Sequence, residues 1–169
     1  MVQCNIENFN KICSSIKVTK SNSVDVKKIP VLQHKTHDGS VPGFSSSLVT
    51  LAKTNNKQLL GNTLEEQALV RQWMDYAASS ANYVDVPHVS KQILKDVNAT
   101  LADRTYIAGN FKSLADIVLY HLLFKTVSNF TFQEKEQFVH LSRWYNNLQQ
   151  DNNIRGSNAS VTFSRTLLY

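Results

Sequence analysis

The sequence predicts a mostly α-helical protein with a short stretch of strand near its N-terminal end. Three observations carry this. Val89, Ile93, Val97 and Leu101 step by fours, which places them on one side of a helix. The run after Ser113 (Leu114, Ile117, Val118, Leu119, Tyr120, Leu122, Leu123, Phe124) is apolar nearly all round, the pattern of a helix at the centre of a bundle. At Thr63–Glu66, Ser113–Asp116 and Thr131–Glu134 a hydroxyl residue is followed three places later by an acid. That is the form of a capping box, in which two orphan N–H groups at a helix start are satisfied reciprocally.

In chain order, Ile6, Phe9, Ile12 and Ile16 recur at helical spacing, so the segment 5–16 reads as an amphipathic helix. The polar, lysine-rich segment 18–28 reads as a loop or a weak strand. Ile29–Gln33 is apolar, contains Pro30 and is bounded by the turn-like Thr36–Ser40, so it reads as a short strand with the proline at its edge or start. After Gly43, the segment 44–53 returns to helical spacing, and 53–58 reads as a linker. The helix after Thr63 carries Leu69, Trp73, Tyr76 and Ala77 on one side, and Leu141, Trp144, Tyr145 and Leu148 mark a last firm helix. The residues after Asp151 show little periodicity. The expected division is 1–57, with its strand among short helices, and 58–169, a helical bundle.

Composition narrows the function classes. In 169 residues, 42% are hydrophobic and 18% charged, enough apolar side chain for a packed core. The formal net charge of +5 permits attraction to RNA or acidic protein surfaces, but the positive residues are scattered and only Lys27–Lys28 are adjacent. The most apolar run is shorter than the roughly 20 residues a bilayer requires, and it contains Asp116 and His121. No basic-then-apolar leader is read at the N-terminus. The two cysteines, Cys4 and Cys13, would lie on different faces of a helix, so they read as reduced thiols of a cytosolic protein.

Catalytic patterns are scarce. His34, His37 and Asp38 lie in a turn-like loop with no second ligand pair elsewhere, so solvated loop residues are the better reading than a metal site. His121 reads as a satisfied core histidine rather than a catalytic one. There is no Walker loop, no G-x-G-x-x-G and no C-x-x-C. The Ser113–Asp116 box is read as structural. Ser113 caps the helix, Asp116 accepts the Ser113 N–H, and removing either oxygen is expected to cost about 1 kcal/mol or more.

The surroundings of that box are specific. Tyr106–Ile107–Ala108–Gly109 precedes it, the apolar helix follows, and Leu141–Ser142–Arg143–Trp144 closes the pattern. In that order and spacing these resemble the C-terminal helical domain of glutathione transferases, where such a box opens the central helix. Ile29–Pro30–Val31–Leu32 resembles the hydrophobic-Pro-x-Leu segment of that family's thioredoxin-like half, whose proline is cis. The resemblance implies a mostly α, glutathione-transferase-like fold. Its first part, 1–57, would be a reduced thioredoxin-like unit, and 58–169 the all-helical C-terminal domain.

The departures imply loss of activity. Active transferases place Tyr, Ser or Cys near the end of a first strand. Here only four residues precede the first expected helix, so that strand and its catalytic residue are expected to be missing. Gly43 and Phe44 stand where the family holds the glutamyl end of glutathione, and neither side chain can hydrogen-bond to it. Lys112 stands where the family often has an apolar residue. A narrower resemblance runs through Ile29–Gln33, Gly43, Lys53, Leu59–Gly61, Glu65–Glu66, Gln72–Trp73, Tyr76, Leu94–Asp96, Leu114–Tyr120, Gln133–Lys135 and Ser142–Trp144. It is to a non-catalytic branch, the elongation factor 1-epsilon proteins, which are the third auxiliary component of the animal multi-aminoacyl-tRNA synthetase complex.

That branch implies a two-faced adaptor with no catalytic residue, cofactor or metal, working in the cytoplasm with the nucleus as a second address. One face, on the helices matching Ser45–Lys53 and Thr63–Ala77, is implied to take the transferase-like domain of methionyl-tRNA synthetase. Its candidate contacts are Ser45, Leu48, Val49, Ala52, Gln72 and Tyr76. The other, centred on Arg143, is implied to take that of glutamyl-prolyl-tRNA synthetase. Other members of the complex are implied partners; a membrane and strong direct nucleic-acid binding are not. Arg143 equally fits a role capping carbonyls of its own bundle. The alternatives to the adaptor are a divergent glutathione transferase and a weak tRNA-binding module.

Overall fold

A computed structural model of the chain describes residues 6–17, 24–26, 32–36 and 39–163. The first helix, α1 (Ile6–Ser15), buries Phe9 and Ile12, with Ile16 just beyond its end. Three short strands follow, β1 (Val24–Val26), β2 (Leu32–Thr36) and β3 (Gly39–Pro42), antiparallel in the order β1-β2-β3. Val24 pairs with His34 in one ladder, and His34 with Val41 in the other. β1 falls in the segment read as a loop or a weak strand, β2 takes up Leu32–Gln33 from the strand expected at Ile29–Gln33 and runs on through Thr36, and β3 was not expected. β1 and β3 are only 3 and 4 residues long, too short for alternation to show, and are held by backbone pairing that sequence pattern does not register. Ile29, Pro30, Val31, Lys27, Lys28, Cys4, His37 and Asp38 lie outside the described residues.

Helix α2 (Phe44–Asn55) runs two residues past its expected end, and a 3-10 turn occupies Lys57–Leu60. The expected linker at 53–58 thus holds the end of α2 and the start of that turn, joined at Asn56. Leu59 and Leu60 explain it: both are buried, so the segment is pinned to the core. Gly61 then turns the chain at φ +89°. A Cβ there would lie 2.5 Å from Glu66 Cβ, so glycine is required on conformational and steric grounds together.

Helix α3 (Leu64–Ser79) starts at the Thr63 box. Glu66 Oε2 accepts the Thr63 N–H at 3.2 Å, and Thr63 Oγ1 accepts the Glu66 N–H at 3.1 Å. Its core face is Val70, Met74 and Ala77, while Leu69, Trp73 and Tyr76 sit half-buried on the flank. The face expected from the sequence was thus rotated by one residue. Helix α4 (Pro87–Thr100) has proline in its first turn, where no N–H is needed, and buries Ile93, Leu94 and Val97 with Leu101.

Helix α5 (Leu114–Ser128) is the central element, buried from Leu114 through Leu123. It packs against α1, α3 and α7. Helix α6 (Phe132–Gln137) begins at the Thr131 box and buries nothing. Helix α7 (Val139–Gln149) buries Leu141, Trp144, Tyr145 and Leu148. A last turn, α8 (Asn152–Arg155), is capped by Asp151, and the chain beyond it folds back over α7. There Gln149 grips Val161 by both backbone groups: Gln149 Nε2 donates to the Val161 carbonyl at 2.8 Å, and Gln149 Oε1 accepts the Val161 N–H at 2.9 Å.

Candidate functional site: a buried cap and two helical faces

Ser113 and Asp116 occupy the start of α5 with no exposed surface. Asp116 Oδ2 accepts the Ser113 N–H at 2.9 Å and the Ser113 hydroxyl at 2.6 Å. The return bond, Asp116 N–H to Ser113 Oγ, is long at 3.4 Å. Two further donors converge on Oδ1: the Ile107 N–H at 2.9 Å and the Trp144 indole N–H at 2.8 Å. Burial pushes the Asp116 carboxyl above its usual range, and these donors pull against it. A carboxylate enclosed by protein donors has no route to a substrate. The node joins the loop before α5, α5 itself and α7, and its chemistry is structural.

The Tyr106–Gly109 segment before the node forms its own small bridge, Tyr106 pairing with Gly109. That bridge aims the Ile107 N–H inward. Lys112, the odd residue ahead of the cap, reaches Asp151 at 2.6 Å and ties the start of α5 to α8. The Lys112 ammonium holds the Asp151 carboxyl below its usual range. Phe111 packs against the core beside it.

His121 is buried. Its Nε2 lies 3.0 Å from Ser15 Oγ on α1, and its Nδ1 lies 3.4 Å from Asn158 Nδ2 in the terminal segment. Burial, helped by the Lys11 charge, lowers its titration to about 4. Cys13 is half-buried, and burial pushes its thiol up to about 11, the opposite of an activated nucleophile. Among the described residues no cluster of His, Cys, Asp and Glu is arranged to hold a metal.

The candidate docking residues divide sharply. Leu48 and Ala52 have no exposed surface and Val49 only 7%. All three face the interior of α2, so a partner cannot touch them, and their assignment as contacts is corrected on that ground. Ser45, Gln72 and Tyr76 reach the surface. Ser45 Oγ donates to Asp75 at 2.9 Å, joining α2 to α3. The Tyr76 hydroxyl donates to Asp96 at 3.1 Å, which also receives Gln92 at 2.7 Å. Burial and the Asp96 charge both raise the Tyr76 hydroxyl, so it stays a neutral donor.

Arg143 is exposed, yet one terminal nitrogen donates to the carbonyls of Leu101 and Arg104, each at 2.8 Å. It closes the C-terminal end of α4, where a cation is favoured by the helix dipole. Asn98 reciprocates, its amide oxygen accepting the His140 and Leu141 N–H groups at the start of α7. At the start of α2, Gly43 offers no side-chain cap. Phe44 turns inward against Phe9, ring centroids 6.2 Å apart.

This arrangement is a glutathione-transferase-like fold. The solved structures that share it include the glutathione S-transferase of class Gtt2 from Vibrio parahaemolyticus, with TM-score 0.67, 15% identity, and 89% of this chain and 92% of that one covered. The GST-like domain of elongation factor 1-gamma from Saccharomyces cerevisiae gives TM-score 0.66 and 18% identity over 93% and 90%. Residues 66–152 match the family described as nuclear-export cofactor Arc1p. Eukaryotic translation elongation factor 1 epsilon-1 of Cricetulus griseus is 39% identical over 85% of this chain and 82% of its own. The Homo sapiens protein of that name is 36% identical over 92% and 91%. The chain belongs to the elongation factor 1 epsilon-1 family.

Proposed function

We propose that this chain is a non-catalytic adaptor of the translation apparatus, which docks aminoacyl-tRNA synthetases side by side through two faces of its transferase-like fold. The observation that carries the reading is its family membership, with relatives named as translation elongation factors matching across most of the chain. Phe44 supports the non-catalytic part. Its ring is committed to Phe9 at the helix start where a transferase would hold glutathione. A charged tripeptide there would leave its polar groups unpaired.

In this reading the chain consists of a thioredoxin-like part, 1–57, and a helical domain, 58–169. The exposed surface of α2 and α3, with Ser45, Gln72 and Tyr76, takes the transferase-like domain of methionyl-tRNA synthetase. The α7 surface around Arg143 takes that of glutamyl-prolyl-tRNA synthetase. The remaining guanidinium nitrogens of Arg143 make no bond among the described residues, which leaves its planar fork donors for a partner carboxylate. The working address is the cytoplasm, with the nucleus as a second site.

The test is co-purification of the tagged chain with the isolated transferase-like domains of the two synthetases, read as the mass of the complex in solution. A ternary complex is expected. Binding of neither domain would overturn the docking reading. Measurable conjugation of glutathione to an electrophilic acceptor would overturn the non-catalytic one.

A further inference from the structure

At the end of the bundle where α4 begins and α5 ends lies a cleft of about 540 Å³, lined by none of the cap or docking residues. Its floor is Val84, Leu94, Phe130 and Phe138, four buried residues of the core. The two phenylalanine rings stack with centroids 5.8 Å apart, so the floor is formed in advance of any ligand. Three large apolar side chains stand exposed among the described residues, and two of them adjoin the lining in sequence. Tyr83 precedes Val84, and Phe132 falls between Phe130 and Glu134. Apolar surface gathered near one concavity marks an interaction site.

The charges at the rim narrow the occupant. Lys91, Lys125, Asp85 and Glu134 all line it. Lys125 lies 3.4 Å from Asp85, so these two answer each other. Glu134 Oε2 is committed to the Thr131 N–H and hydroxyl, at 2.8 and 2.9 Å. Lys91 makes no ion pair among the described residues, and Lys95 stands exposed one turn further along α4. The charge left open to a ligand is therefore positive, beside an apolar floor. A phosphate backbone does not suit this rim, because Asp85 and Glu134 would repel it. A compact small molecule does not suit it either, because the cleft is open to solvent and cannot enclose most of one. A peptide crossing the opening needs to insert only a side chain or two.

We propose that this cleft docks a short acidic peptide segment of a partner protein, with a bulky apolar residue on the floor of Val84, Leu94, Phe130 and Phe138 and a neighbouring carboxylate on Lys91. It is a third docking site, separate from the α2–α3 face and from the Arg143 face, and it stands or falls independently of them.

The experiment titrates the full chain with the peptide acetyl-Asp-Phe-Leu-Glu-amide and follows the backbone amide signals by NMR. Saturable shifts are expected at Val84, Ser90, Lys91 and Phe130. Lys91→Glu changes an exposed side chain and leaves the floor intact. It should weaken binding about three- to tenfold, since one exposed attraction becomes a repulsion. The same variant should bind a peptide with both acids replaced by lysine more tightly than the parent does. No saturable shift in the parent, shifts confined to α2, α3 or α7, or equal affinities for Lys91→Glu and parent each overturns the proposal. Shifts at the cleft with oligouridylate, and none with the peptide, overturn it in favour of a nucleic-acid site.

Discussion

Two of the capping boxes in this chain have the same sequence form and opposite surroundings, which makes them a matched test of what burial does to a cap. In Ser113–Asp116 both residues have no exposed surface. In Thr131–Glu134 the bonds are solvent-exposed, although the distances are similar: 2.8 and 2.9 Å to the glutamate, 3.3 Å for the return bond. Ser113→Ala removes the 2.6 Å bond to the Asp116 carboxylate and the longer one from the Asp116 N–H. A charge-assisted bond contributes about 1.5–3 kcal/mol and an N-cap about 1 kcal/mol, partly overlapping. The expected loss is about 2–3 kcal/mol, a fall of roughly 4–12 °C in Tm for a chain of this size. Thr131→Ala leaves its partners facing water, and should cost about 0.5–1 kcal/mol. The assay is urea unfolding of both variants beside the parent, with the slope checked for constancy. Losses equal within about 0.5 kcal/mol would refute the argument that enclosure, rather than the box itself, sets the strength of the cap.

Other outcomes follow from the same geometry. The folded His121 titrates near 4 and the unfolded one near 6.5. Between those values only the unfolded chain takes the proton, so stability is complete above pH 6.5 and falls by about 3 kcal/mol as pH drops to 4. Denaturant titrations across that window should show the slope, and His121→Gln should remove one proton's worth of it; an unchanged slope assigns the effect elsewhere. Gly61→Ala forces a Cβ against Glu66 at φ +89°, and should cost more than about 2 kcal/mol in thermal unfolding, with no loss refuting the close approach. Arg143→Ala removes the closure of α4 and should cost about 1 kcal/mol. In pull-downs it should weaken the glutamyl-prolyl partner while sparing the methionyl one. Equal loss of both would show a fold defect rather than a lost contact.

How much of this was legible in the sequence depends on the range of each interaction. The boxes at Thr63, Ser113 and Thr131 join residues three positions apart, so their form predicts their bonds. The donors that make Asp116 distinctive do not: Trp144 lies 28 positions away, and Ile107 contributes only its backbone N–H. The resemblance placed α2 in a docking region but could not say which side of it faces out. Leu48, Val49 and Ala52 were therefore assigned to a surface they do not reach. The segment after Asp151 shows only weak periodicity because it is anchored by scattered single residues, Ile154, Asn158 and Val161. Gln149 and His121, which receive it, carried no signal beyond being polar residues in apolar surroundings.

The anchoring of α1 bears on how the protein is made. Phe9, Ile12 and Ile16 leave the ribosome well before their partners, since α1 packs on α5 and α8. Its Ser15 finds His121 across 106 positions and the Ile154 carbonyl across 139. At roughly 5–20 residues per second, those partners emerge on the order of ten seconds later. For that interval the apolar stripe of α1 is uncovered, because the elements that cover it, α5 and α8, have not yet emerged. Ribosome-associated chaperones that shield short apolar helices should engage this chain from the emergence of α1 until α5 has cleared the exit tunnel.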